Sequence, residues 1–108
     1  MKYSVSKYLN YSIISLSGEI DLNESPNVRK QILNLIKKDT NLLIDLSSVE
    51  YIDSSGVASL VEGLQTSRTM KLNFALLGVS DSAMQVLQLA RLDTVFTIYN
   101  SLEDIEQG

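Results

Sequence analysis

Leu42-Leu43-Ile44-Asp45-Leu46 is an apolar run holding one carboxylate, and Asp53-Ser54-Ser55-Gly56 follows it a short way on. Runs of the first kind belong to central strands covered on both faces. After Gly56 the period changes. Val57, Leu60, Val61 and Leu64 fall at i, i+3, i+4 and i+7, the stripe of an amphipathic helix. Residues 47–52 read as the connection between the two. A buried strand that feeds a helix is half of a crossover unit, so this stretch predicts a largely parallel sheet.

The flanking sequence extends the alternation. Upstream, Val28, Ile32, Leu35 and Ile36 form a second helical stripe. Ser25 can cap that helix, Pro26 suits its first position, and Lys37-Lys38 suit its negative end. Before it, Tyr3, Val5, Ile14 and Leu16 alternate with serines over residues 1–17, which reads as two strands joined by a turn at Leu9-Asn10-Tyr11. Downstream, residues 71–79 read as a strand. Ser80 or Asp81 then caps a third helix with Met84, Leu87 and Ala90 on one side. Thr94-Val95-Phe96-Thr97-Ile98 is a β-branched and aromatic strand. Ser101 and Asp104 stand where a capping box would open a short last helix. The expected order is β-β-α-β-α-β-α-β-α. The fold expected is a single α/β domain over residues 1–108, with a four- or five-stranded mixed sheet, an antiparallel edge and helices mainly on one face.

Composition narrows the chemistry. The chain has 108 residues with neither His nor Cys, which removes the usual zinc ligands, thiol catalysis and imidazole acid–base work. Nine Lys+Arg against thirteen Asp+Glu give a net charge of −4, and the basic residues are scattered. Nucleic-acid binding needs a concentrated basic surface, so it is not expected. No apolar run reaches the length of a membrane span, and Met1-Lys2-Tyr3-Ser4-Val5-Ser6-Lys7 lacks the apolar core of a secretory signal. A cytoplasmic protein without membrane insertion is expected. Its partner is expected to be a folded protein or a small ligand.

Two groups of residues carry chemistry. In Asp53-Ser54-Ser55-Gly56, two hydroxyls stand where a helix begins. Free N–H groups and the helix dipole there favour an anion, and a phosphate on either serine would be accommodated. The same tetrapeptide also reads simply as an N-cap made by Asp53 or Ser54. Asp21, Asp45 and Asp53 lie at segment ends, where open α/β sheets gather ligands. They read as a metal cluster or a phospho-acceptor, or equally as caps and turns. A receiver domain would need an acidic pair after its first strand and a lysine after its last, and neither is present. No glycine-rich phosphate loop exists, so no nucleotide site or cofactor is expected.

Gly18-Glu19-Ile20-Asp21, the stretch from Leu43 through Asp53-Ser54-Ser55-Gly56-Val57, and Leu89-Ala90-Arg91-Leu92-Asp93-Thr94-Val95-Phe96 resemble a STAS domain of the anti-sigma-factor-antagonist type. The resemblance spans nearly the whole chain. It implies a phospho-switch rather than an enzyme. The dephosphorylated protein would bind an anti-sigma factor and free the sigma factor. That anti-sigma factor would itself be a serine kinase of GHKL-type ATPase fold, and the serine before the glycine, Ser55, would be its target. A PP2C-like phosphatase would reverse the modification. Asp21, Asp53, Ser54 and Gly56 would surround the phospho-site and meet the partner, with Gly56 letting the kinase approach. Two other roles are compatible with such a domain: an accessory subunit of an ABC-type lipid transporter, or a stressosome-like scaffold. A magnesium enzyme built on the three aspartates has no base and no lysine to support it.

Overall fold

The computed structural model describes residues 3–106. The readings that touch Met1, Lys2 and the last two residues lie outside the described residues. The elements run β1 (Ser4–Tyr8), β2 (Tyr11–Ile20), α1 (Ser25–Ile36), β3 (Asn41–Ile52), α2 (Ser54–Thr69), β4 (Phe74–Leu77), α3 (Asp81–Leu89), β5 (Thr97–Tyr99) and α4 (Leu102–Glu106). The order is the one expected from the sequence. The five strands lie in chain order, with β1 antiparallel to β2 and the remaining pairs parallel.

β3 carries most of the core. Leu42, Ile44, Leu46, Val49 and Ile52 all enter the large core formed with α1, α2 and α3. Their spacing changes from two to three after Leu46. The cause is visible in the register with β2: Ser15 and Ser17 pair with Asp45 and Ser48, and Gly18 and Glu19 pair with Val49 and Tyr51. β3 therefore holds an extra residue at each of two bulges. Residues 47–52, read from sequence as a connection, are strand. Gly18 takes a φ of +76° beside the second bulge, a conformation glycine adopts without steric cost.

The opposite face of the sheet is covered more thinly. Ile13, Leu43, Ala75 and Leu77 pack there against Ile105 of α4. Helices thus lie mainly on one face, as expected, with only the short terminal helix on the other.

Local starts and stops correct several boundaries. Ser25 is the first residue of α1 rather than its cap; Glu24 holds the N-cap position and its side chain makes no cap bond. Asp21 holds the turn that leads into the helix: its Oδ1 accepts from the N–H groups of Asn23 and Glu24, both at 3.0 Å, and its carbonyl accepts the Ser25 N–H at 2.8 Å. Ser80 caps α3, accepting from the Ala83 N–H while its hydroxyl donates to the Val49 carbonyl. The buried side of α3 is Ala83 and Leu87; Met84 is only half-buried and Ala90 is exposed. β4 begins at Phe74 rather than at Lys71, which turns through a φ of +62° that no strand residue adopts. The last strand is Thr97–Tyr99, and residues 94–96 form a turn that sends Phe96 into the core. Asp104 reaches back to the N–H groups of Asn100 and Ser101, the capping arrangement expected there.

Candidate functional site

The site grows from the far end of β2 and β3. Ile20 and Ile52 are the last pair of that ladder, and the N–H of Asp53 closes it by donating to the Ile20 carbonyl at 3.2 Å. Asp53 is the extended N-cap residue of α2, whose first residue is Ser54. Its Oδ1 accepts from Ser55 N–H at 2.9 Å and from Gly56 N–H at 3.2 Å. The Ser55 hydroxyl donates to the same oxygen at 2.5 Å. The backbone of Leu22, in the loop after β2, adds a smaller favourable interaction with this carboxylate. The hydroxyl of Ser55, together with those backbone N–H groups and against the pull of burial, holds the Asp53 carboxyl below its usual value.

The helix therefore starts closer to the two serines than the sequence suggested, and its cap is Asp53. Ser54 is exposed and Ser55 half-buried. The N–H groups expected to receive a phosphate already bond to Asp53. A phosphate on Ser55 would enter beside a carboxylate and compete with it for those donors.

Gly56 has a packing task at the start of α2. It is buried against the sheet, and a Cβ there would meet Ile52 Cγ1 at 2.7 Å and both Ile20 Cγ2 and the Ile20 carbonyl oxygen at 2.9 Å. The missing side chain lets α2 approach β2 and β3.

The three aspartates do not form a cluster. Asp45 sits on β3, where its Oδ1 accepts from the N–H and hydroxyl of Ser47 at 2.9 and 2.7 Å. Asp21 is occupied with its own turn, though that turn adjoins the site through Leu22. Among the described residues no three acidic groups are placed to hold a metal ion. The metal reading of these carboxylates therefore has no geometry behind it. No helix among the described residues is long and apolar enough to cross a membrane.

Leu22 is the residue the sequence reading passed over. It is 72% exposed, and its backbone lies close enough to Asp53 to favour the charged carboxylate. The signal available was an apolar residue standing alone between Asp21 and Asn23. Tyr51, 49% exposed at the end of β3, was also passed over.

Comparison with known proteins agrees with the fold. An anti-sigma-B factor antagonist of Listeria monocytogenes is 30% identical over 88 residues, which make up 81% of this chain and 77% of that protein. The crystal structure of an anti-sigma factor antagonist from Mycobacterium paratuberculosis matches with a TM-score of 0.81 at 28% identity, covering 95% of this chain and 88% of that one. An anti-sigma-factor antagonist (STAS) domain protein from Planctomyces limnophilus matches with a TM-score of 0.84 at 25% identity, covering 95% and 93%. The model of the STAS domain matches residues 2–105. With that match over nearly its whole length, and with the fold to go with it, the chain belongs to the STAS domain family.

Proposed function

We propose that this chain is an anti-sigma factor antagonist, a cytoplasmic binding protein rather than an enzyme, switched by phosphorylation of Ser55. Unphosphorylated, it binds an anti-sigma factor and so releases a sigma factor. The anti-sigma factor is a serine kinase of GHKL-type fold that uses its own Mg-ATP, and a PP2C-like phosphatase restores the free hydroxyl. Relatives that bear the antagonist name support the binding role. The single observation that carries the choice of residue is the Ser55 hydroxyl, fixed at 2.5 Å from Asp53 in the first turn of α2.

The physics of the switch follows from that position. Phosphorylation replaces a neutral donor by a group of about −1.5 to −2 charge. The new group stands beside Asp53 on a chain already at −4. In an interface it adds bulk and must shed water. A loss of about 2–4 kcal/mol of binding weakens affinity roughly 30- to 1,000-fold, enough to exchange partners.

The test is capture of partners from the native cell on three immobilised forms. The unphosphorylated chain and Ser55→Ala should retain an anti-sigma kinase. Ser55→Asp should retain less, though one carboxylate imitates phosphate only partly. Capture of a lipid-transport ATPase by all three forms equally would instead assign the accessory-subunit role.

A further inference from the structure

We propose that Asp53 is a positioning residue for the modification, selecting Ser55 over Ser54 as acceptor by holding the Ser55 hydroxyl in one rotamer. The inference rests on the reading of Ser55 as the phosphorylated residue. Both the N–H and the hydroxyl of Ser55 converge on one oxygen, Asp53 Oδ1, at 2.9 and 2.5 Å. Two bonds from one residue to one atom fix χ1, whereas an unrestrained serine samples three staggered wells. The hydrogen bond to a carboxylate is also of the strong, charge-assisted kind.

Asp53 is itself held by the fold. Its N–H is bonded to Ile20 on β2, and its carboxylate receives Gly56 N–H. The hydroxyl orientation is therefore set by the junction of β2, β3 and α2. With the O–H directed at Asp53, the Oγ lone pairs face away from the carboxylate and are left for the γ-phosphorus of ATP: the Oγ–P bond forms as the bond to ADP breaks, ADP leaves with the electron pair, and the hydroxyl proton is released to solvent. Ser54 is adjacent and more exposed, yet the described residues give its hydroxyl no such partner. Exposure alone would favour Ser54, so orientation decides between them.

Asp45 and Ser47 repeat the local pattern on β3, with the N–H at 2.9 Å and the hydroxyl at 2.7 Å. That pair lies away from the β2–β3–α2 junction and serves as a control.

The test uses the whole chain and two variants. Asp53→Asn keeps an oxygen acceptor without the charge. Asp53→Gly removes the acceptor while keeping a residue that helix starts tolerate. Side-chain three-bond couplings should show one Ser55 rotamer in the wild type and in Asp53→Asn, and averaging in Asp53→Gly. With Mg-ATP and the kinase captured by the unphosphorylated chain, Asp53→Gly should lower kcat by about 10- to 100-fold while KM changes less than about threefold. It should also move part of the phosphate to Ser54. Asp53→Asn, which keeps the acceptor but loses its charge, should fall between the wild type and Asp53→Gly in kcat, and Asp45→Ala should match the wild type. An averaged Ser55 rotamer in the wild type would overturn the proposal. So would wild-type kcat with phosphate confined to Ser55 in Asp53→Gly. If the wild type takes up no phosphate, the phospho-switch reading fails, and the couplings still decide whether Asp53 orients Ser55.

Discussion

Gly56 and Ile20 are packed so closely that a Cβ at position 56 would stand 2.9 Å from the Ile20 carbonyl oxygen. That oxygen already accepts the Asp53 N–H, so it cannot retreat without opening the end of the ladder. Gly56→Ala should therefore destabilise the fold by about 1–3 kcal/mol, the usual range for overpacking. Urea unfolding measures this directly. A change of a few tenths would show that α2 slides away from the sheet at no cost.

Ser67, in α2, is fully buried, and its hydroxyl has no hydrogen-bond partner among the described residues. A buried donor left unpaired costs about 1–3 kcal/mol in desolvation. Ser67→Ala removes the hydroxyl and leaves the backbone bonds to Met70 and Leu72 in place. The variant should gain up to about 1–2 kcal/mol in stability. A loss in calorimetric Tm would mean that the hydroxyl has a partner in solution.

Lys71 ends the α2 connection at a φ of +62°, where an L residue is strained. Left-handed backbone costs a residue with a side chain roughly 1–2 kcal/mol, and glycine escapes this at the expense of unfolded-state entropy. Lys71→Gly should stabilise by about 0.5–1 kcal/mol. Chemical denaturation should show a raised midpoint with an unchanged slope. A lowered midpoint would mean that the lysine side chain supports the turn.

Asp53 gives the fold a defined acid sensitivity. Its folded-state pKa lies below the ordinary 3.8 because the Ser55 hydroxyl and the backbone N–H groups bond the charged form. A depressed carboxylate contributes stability above its unfolded value and loses it as pH falls through the folded one. Unfolding at about pH 7 and at about pH 3 should therefore differ more in the wild type than in Asp53→Asn. Parallel losses in the two proteins would show that Asp53 is not the group responsible.

The sequence carried the element order, because each stripe keeps one period long enough to be read. Val28, Ile32, Leu35 and Ile36 are all buried in α1. It failed where the period changes within an element. Leu46, Val49 and Ile52 lie three apart because β3 bulges against β2, a property of the pair and not of either strand. The same holds at the site. Asp53 and Ser55 were legible, since a carboxylate before two serines has a cap geometry of its own. The packing of Gly56 was not, because it is set by Ile20 on another element. The tie from Leu22 to Asp53 was equally hidden, as it joins two loops distant in sequence. Met84 and Ala90 show a further limit: α3 is too short for its stripe to fix which side is buried, and Ala83 takes the core position.

The most direct measurement of the central claim is peptide mass spectrometry after incubation with the captured kinase and Mg-ATP. The expected result is one phosphate on Ser55, none on Ser54, and none on a Ser55→Ala chain that remains folded and still binds the kinase. Phosphate on Ser54, or undiminished incorporation into Ser55→Ala, would contradict it.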